Sequence, residues 1–111
     1  MRQAREIVAA IQAERDLVRV VQVAQRFDLK ERALQRLFQA YVGVRPKWVI
    51  MRYRLHEALE RIESGDDFDL AQLAAQLHYF DQAHFTRDFT ELVGCSPSAY
   101  MARLQRTERS D

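Results

Sequence analysis

Residues 23–46 read VAQRFDLKERALQRLFQAYVGVRP, and residues 73–97 read LAAQLHYFDQAHFTRDFTELVGCSP. Ala24 aligns with Ala74 at an offset of 50 residues, whereas Phe38 aligns with Phe89 at an offset of 51. The second copy therefore has one extra residue in its central turn. Each copy predicts a short helix, a tight turn and a longer helix, which is the helix-turn-helix arrangement.

The aligned positions have residue types that suit this arrangement. The remaining matches pair Leu34 with Phe85, Arg36 with Arg87, Val42-Gly43 with Val93-Gly94, and Pro46 with Pro97. A small alanine in the first helix lets the two helices pack closely, and Leu29 and Tyr79 in the turns are apolar residues that can fill the angle between them. Two copies are too few for a solenoid, which needs about three repeats or more.

Apolar residues recur at helical spacing along nearly the whole chain, and there are only three glycines and two prolines. We expect an all-α fold of about seven homeodomain-like helices, with two helix-turn-helix subdomains joined by a long linking helix. The predicted parts are residues 1–45, the linking helix 46–64 and residues 65–111. The first helix is expected from about Ala4 to Arg15, and a loop is expected over residues 64–69.

Helix ends are predicted from local residue types. Asp69 and Ser96 suit helix N-caps, and Gly43 and Gly94 suit the left-handed conformation that ends a helix. Asp28 and His78 stand at the two turns, where a left-handed conformation is needed and these residue types tolerate it.

The amino-acid composition limits which cellular compartment and which class of protein the sequence fits. The chain has 111 residues, of which 48% are apolar, so it can bury a core as one domain or two small lobes. The single cysteine, Cys95, is compatible with a reducing compartment. No apolar run approaches the roughly 20 residues that span a membrane. We expect a soluble, cytoplasmic protein without a membrane partner.

Charge is distributed unevenly, although the formal net charge is only +1. Residues 26–61 contain nine basic and four acidic residues, whereas residues 62–91 contain one basic and seven acidic residues. A basic segment of this kind suggests a polyanionic partner. Charge alone fits equally well with two solvated faces of opposite sign.

The outer face of the longer helix in each copy carries the candidate binding residues. With Leu34 as the core direction, Phe38 and Tyr41 fall within about 40° of it at about 100° per residue. The far side or its edge holds Arg32, Gln35, Arg36 and Gln39. With Phe85 as the core direction in the second copy, Ala83, Arg87 and Thr90 fall opposite, and His84 and Thr86 lie at the edges. Arg and Gln can bond guanine and adenine edges, and Ala or Thr methyls can contact a thymine methyl.

The linking helix constrains the spacing of the two copies. Nineteen residues from Pro46 to Ser64 give a rod of about 28 Å, close to the roughly 34 Å between successive major grooves on one side of a duplex. The basic residues Arg45, Lys47, Arg52 and Arg54 near its start are candidate phosphate contacts. Trp48 is placed on its apolar face with Val49, Tyr53, Leu55, Leu59 and Ile62.

The chain resembles the C-terminal DNA-binding domain of AraC/XylS-type transcription regulators over essentially its whole length. The motifs are Leu34-x-Arg36-x-Phe38, Val42-Gly43-x-x-Pro46 and Tyr79-x-Asp81-x-x-x-Phe85-x-Arg87-x-Phe89-x-x-x-Val93-Gly94-x-Ser96-Pro97-x-x-Tyr100. The resemblance implies sequence-specific binding of double-stranded DNA, with two recognition helices (about 30–42 and 81–93) entering adjacent major grooves.

Carried over by position, the resemblance points to Arg32, Gln35 and Arg36 in the first copy. In the second copy it points to Gln82, Ala83, His84 and Arg87, with Thr86 as a candidate phosphate contact. Lys30 stands where the family often has a serine N-cap, and Ala83 and His84 replace a usual serine and aromatic, so the target sequence is not predictable. Lys30 joins the candidate phosphate contacts.

The resemblance also bears on partners. No effector pocket or dimerisation segment is identifiable, so the chain is either a stand-alone regulator or, as we favour, the C-terminal piece of a longer protein with an N-terminal effector or dimerisation domain. RNA polymerase is an expected partner. The first copy is expected to supply most of the affinity, and the more acidic second copy mainly register and discrimination.

The sequence gives less support to catalytic, metal-binding and base-stacking functions. His56, His78, His84 and Cys95 lack zinc-ligand spacing, and there is no glycine-rich phosphate loop or nucleophile elbow. We expect no metal, no cofactor and no enzymatic activity. His56 is interpreted as a helix-surface residue and Cys95 as a buried small residue matching Val44. Trp48 and the phenylalanines have core spacing, which argues against a base-stacking platform.

Two alternatives remain open at this point. One is the DNA-targeting module of a repair enzyme, although such fusions need a metal-bound cysteine cluster that this chain lacks. The other is a helical protein-interaction module whose acidic half binds a partner such as RNA polymerase.

Overall fold

Seven helices and no strand make up the part of the chain that the computed structural model describes, residues 2–65 and 69–110. The helices are α1 (Arg2–Ala13), α2 (Val20–Arg26), α3 (Glu31–Tyr41), α4 (Pro46–Glu63), α5 (Leu70–Gln76), α6 (Gln82–Val93) and α7 (Pro97–Ser110). The all-α prediction is confirmed. The first helix begins and ends two residues earlier than expected, and residues 66–68 of the expected loop lie outside the described residues.

The chain divides into two compact units, unit 1 (Met1–Arg54) and unit 2 (Leu55–Asp111). The division falls inside α4, so the first half of this helix belongs to unit 1 and the second half to unit 2. The three-part organisation with a separate linking segment stays a prediction. No helix in the described part of the chain is long and apolar enough to cross a membrane.

The core of unit 1 is an apolar cluster to which all four of its helices contribute. The buried members are Ile7, Ile11, Val23, Ala24, Leu34, Phe38, Val49 and Ile50. Leu34 and Phe38 have no exposed surface, which confirms the predicted core face of α3. Because this side of α3 is buried, the opposite side of the helix faces solvent.

The core of unit 2 contains a chain of aromatic rings. The Tyr79 and Phe85 ring centroids lie 5.5 Å apart, those of Phe85 and Phe89 lie 5.8 Å apart, and those of Phe89 and Tyr100 lie 6.0 Å apart. Tilted and edge-on ring pairs at these distances are favourable beyond their buried area. The Tyr100 hydroxyl also donates to Glu63 Oε1 at 2.6 Å, and this hydrogen bond raises the pKa of Tyr100, with burial and the Glu63 charge acting in the same direction.

The two turns have the same backbone geometry. Asp28 has φ +54° and His78 has φ +67°, so both adopt the left-handed conformation expected for them. After the turn, the Leu29 N–H donates to the Ala24 carbonyl at 2.8 Å, and the Tyr79 N–H donates to the Ala74 carbonyl at 3.0 Å. The repeat seen in the sequence is therefore a structural repeat.

Replacing Asp28 with valine tests the strain in the first turn. A β-branched residue is strongly disfavoured in the left-handed region, and we expect the free energy of unfolding to fall by about 1–2 kcal/mol or more. Urea denaturation measures the change. Asp16→Val is the matched control, because Asp16 is also exposed and is not among the residues with positive φ. Equal effects of the two substitutions would contradict this interpretation of the turn.

The N-caps predicted at Asp69 and Ser96 are present at the starts of α5 and α7. Asp69 Oδ1 accepts from the Ala71 N–H at 2.9 Å, and Ser96 Oγ accepts from the Ala99 N–H at 3.1 Å. Asp81 caps α6 in the same way, accepting from the His84 N–H at 2.8 Å. At the other end, Gly94 closes α6 with φ +96°.

Four burial predictions are wrong, those for Tyr41, Trp48, Phe80 and Cys95. Tyr41 is 57% exposed, whereas the next residue, Val42, packs against the core cluster. Trp48 is 37% exposed. Val49 and Ile50 are the buried residues of this turn, and at about 100° per residue Trp48 points roughly 150° away from their mean direction. Cys95 is only half-buried, in the short connection between α6 and α7.

Candidate nucleic-acid interface

The solvent-facing side of α3 carries the residues predicted to bind. Four of its polar side chains are exposed opposite buried Leu34 and Phe38: Arg32, Gln35, Arg36 and Gln39. Two of them are cationic and two are amides, so the face offers both kinds of group that bond base edges bidentately. The packing of α3 thus presents them together on one surface.

Two shallow depressions border this surface in unit 1. One, of about 410 Å³, is lined by Gln35 and Glu31 of α3 and by Arg45, Pro46 and Lys47 at the start of α4. The other, of about 310 Å³, is lined by Gln35, Gln39 and the loop residues Gly43, Val44 and Arg45. Gln35 and Gln39, which are predicted to contact bases, therefore line the same pair of depressions as Arg45 and Lys47, which are predicted to contact phosphates.

The remaining cationic candidates of unit 1 are Lys30 at the start of α3 and Arg52 and Arg54 on α4, of which Arg54 is half-buried. Lys30 is exposed at the N-cap position of α3. The Arg52 guanidinium lies 5.4 Å from the centre of the Trp48 ring, one turn earlier on α4. A cation in this position is attracted to the ring face, so Arg52 and Trp48 form one exposed cationic and aromatic pair.

The solvent-facing side of α6 is more neutral. Gln82, Ala83 and Arg87 are exposed, whereas Thr86 is half-buried. Arg87 occupies the position in α6 that Arg36 occupies in α3, two residues before a fully buried phenylalanine. The corresponding faces are thus exposed in both units.

His84 is held within unit 2 by its neighbours. Its Nε2 lies 3.6 Å from Asp88 Oδ2, and the same oxygen accepts a hydrogen bond from the Tyr79 hydroxyl at 3.0 Å. The His84 ring also meets the Tyr79 ring edge-on, with the centroids 5.2 Å apart. His84 is half-buried, so only part of its ring is available to a ligand. His56, by contrast, is exposed beside Glu60 on the surface of α4, as interpreted.

Besides Tyr41, sequence reasoning missed two exposed aromatic side chains. Phe80 is 93% exposed between Tyr79 and the α6 cap Asp81, and Trp48 is exposed beside Arg52. The phenylalanines were expected in the core, and for Phe80 this is wrong. A signal was available, because Phe80 is the extra residue that shifts the alignment of the two copies from 50 to 51.

Comparison with known families and proteins gives consistent results. The family model described as a helix-turn-helix domain matches residues 23–103, which include both turns. The Escherichia coli K12 protein named "Uncharacterized HTH-type transcriptional regulator YidL" is 30% identical over 101 residues, covering 90% of this chain and 34% of that protein. The chain spans about a third of the length of the curated relatives it matches.

Solved structures share the fold. The DNA-binding domain of AdpA, a global transcriptional factor determined in complex with a target DNA, superposes with a TM-score of 0.80 at 22% identity, covering 96% of each chain. An AraC-type transcriptional regulator from Chromobacterium violaceum superposes with a TM-score of 0.75 at 20% identity, covering 89% of this chain and 88% of that one. Together with the family match, these findings mean that the chain belongs to the AraC-type family of helix-turn-helix DNA-binding domains of transcription regulators.

Proposed function

We propose that this chain binds double-stranded DNA at specific sequences, with α3 and α6 as recognition helices that enter adjacent major grooves. The observation that carries the proposal is the matched exposure of Arg36 and Arg87. Each arginine faces solvent two residues before a fully buried phenylalanine, at the corresponding place in its helix-turn-helix unit. An exposed arginine at this place can bond the O6 and N7 atoms of guanine bidentately.

The proposed base contacts lie on the exposed or half-exposed sides of the two helices. They are Arg32, Gln35, Arg36 and Gln39 in α3, and Gln82, Ala83, His84 and Arg87 in α6, with Thr86 beside them. The solved complex of the AdpA domain with its target DNA supports duplex DNA as the ligand, because that domain shares the fold over 96% of both chains.

The proposed phosphate contacts are Lys30, Arg45, Lys47 and Arg52. Arg45 and Lys47 line the depression that Gln35 also lines, so a phosphate bound there would hold α3 against the base edges. Phosphate contacts of this kind position a protein on the duplex without reading its sequence. All four residues belong to unit 1, which is why we assign it most of the affinity.

Selection of preferred duplexes from a random DNA pool tests the proposal. We expect an asymmetric consensus that covers about two helical turns, since successive major grooves on one side of a duplex lie about 34 Å apart. A pool that yields no preferred sequence at any salt concentration would overturn the proposed function. Binding of RNA polymerase without any affinity for DNA would instead favour a protein-interaction module.

The substitution Arg45→Ala tests whether Arg45 positions the protein on the duplex or recognises its base sequence. Loss of a phosphate contact should weaken binding about equally for all duplex sequences, and the slope of log affinity against log salt should decrease in magnitude by about 1. Titrations at several salt concentrations measure both effects. Arg5→Ala is the control, because Arg5 is exposed on α1 and is not among the residues proposed to contact DNA. A change confined to one base-pair preference would contradict the phosphate role of Arg45.

The chain covers only about a third of its relatives' length, so the activity of the whole protein is also a proposal. We infer an N-terminal effector or dimerisation domain, a non-enzymatic role as a transcription regulator, and a cytoplasmic location, where bacterial DNA lies. RNA polymerase is the proposed protein partner. The exposed acidic residues of unit 2, among them Asp69 and Glu91, supply a surface complementary to basic segments of such a partner.

A further inference from the structure

Phe80 is the most exposed of the large apolar side chains in residues 2–65 and 69–106. Its exposed fraction is 93%, and the next largest, that of Tyr41, is 57%. Full burial of a phenylalanine is favourable by about 1.5–3 kcal/mol, and this side chain gains almost none of that within the chain. It is also the one residue in the turn of unit 2 that has no counterpart in unit 1.

The packing of unit 2 explains why Phe80 is left outside. A residue directly before an N-cap often packs on the fourth residue of the helix, which for α6 is Phe85. Phe85 is already fully buried, and the Tyr79 ring lies 5.5 Å from it. Tyr79 therefore fills the place that Phe80 would otherwise take.

The surroundings of Phe80 suit a base edge better than a phosphate. Asp81 follows it directly, and the first cationic residue further along α6 is Arg87. Gln82 and Ala83, in the first turn, are both exposed. The first turn of α6 is thus apolar and amide in character, and the charged side chain next to Phe80 is the carboxylate of Asp81 rather than a lysine or arginine that could bind a phosphate.

We propose that Phe80 and Ala83 form an apolar contact with the 5-methyl group of a thymine in the major groove, which makes Phe80 a specificity-determining residue of unit 2. The inference rests on the proposed function. The N-terminal residues of a recognition helix lie closest to the base edges, and the thymine methyl is the one apolar group that base pairs present in the major groove.

The test replaces each thymine of the selected duplex, one at a time, by deoxyuridine, which lacks only the methyl group. For the unmodified protein we expect at least one position in the half-site of unit 2 where this change lowers affinity about fourfold, the ratio that corresponds to about 0.8 kcal/mol per buried methyl. Phe80→Ala should lose most of the preference for thymine over deoxyuridine at that position, because Ala83 alone leaves a smaller apolar contact. Phe80→Leu, which keeps an apolar side chain, should retain part of the preference.

The results distinguish a lost base contact from misfolding of the variant and from failure of the proposed function. Phe80→Ala should unfold at the same urea concentration as the unmodified chain, because the side chain is exposed, so lost discrimination would not reflect misfolding. The inference is overturned if no thymine shows the preference, or if Phe80→Ala keeps it in full, as a role in protein contact would require. Absence of any preferred duplex defeats the proposed function itself and the inference with it.

Discussion

Replacement of Phe38 by alanine is expected to lower the free energy of unfolding of unit 1 by about 3–5 kcal/mol. Phe38 has no exposed surface and lies in the cluster that joins the helices of unit 1. Truncation removes the transfer free energy of the ring and leaves a cavity that the neighbours fill only in part. Since small domains are stable by about 5–15 kcal/mol in total, the loss is a large fraction of the stability of unit 1.

Urea denaturation of the whole chain measures this effect. The single tryptophan, Trp48, belongs to unit 1, so its fluorescence follows that unit, while circular dichroism follows the helices of both. Phe27→Ala is the matched control, because Phe27 is a half-buried phenylalanine of the same unit and packs only against the edge of the cluster. A loss for Phe38→Ala no greater than that for Phe27→Ala would contradict the assigned core.

Replacement of Arg36 by alanine is expected to weaken binding to the preferred duplex by about 1–3 kcal/mol and to relax the preference at one base pair. Arg36 is exposed, so the fold should be unchanged. Arg36→Lys keeps the charge but loses the planar pair of donors that bonds guanine, and we expect it to recover little of the preference. Competition titrations with duplexes that differ at single base pairs measure both variants.

A different result would assign Arg36 a role other than base recognition. A loss that is equal for all duplexes, together with recovery by lysine, would mark Arg36 as a phosphate contact and move base recognition to its neighbours. Arg5→Ala again serves as the control for a general loss of positive charge, since Arg5 is an exposed arginine of the same unit.

The local features of the fold were predictable because short-range rules set them. The left-handed turns at Asp28 and His78, the caps at Asp69 and Ser96 and the glycine ends of the recognition helices each depend on a few adjacent residues, and all are confirmed. The all-α class followed from helical spacing and the internal repeat. The roles of the exposed site residues stay predictions, because exposure alone does not establish a contact with DNA.

The errors arise where two neighbouring residues could both be buried and the packing of the unit decides between them. Tyr41 has the core direction of α3, but Val42 packs against the core instead. Trp48 is likewise exposed, and its neighbours Val49 and Ile50 are buried. Phe80 is exposed because Tyr79 occupies the space beside Phe85. Helical periodicity predicts the direction of a side chain but not what lies there.

The two recognition helices begin differently, and the difference bears on the kinetics of binding. Asp81 places a carboxylate at the N-cap of α6, where it accepts from the His84 N–H, whereas the N-cap residue of α3 is Lys30, whose ammonium group can only donate. Under the proposed function, the excess of basic residues in and around α3 and the start of α4 attracts the duplex from a distance, and the start of α6 does not. Unit 1 then governs the association rate and its dependence on salt, and the short-range contacts of unit 2 govern how long a complex on the correct sequence survives.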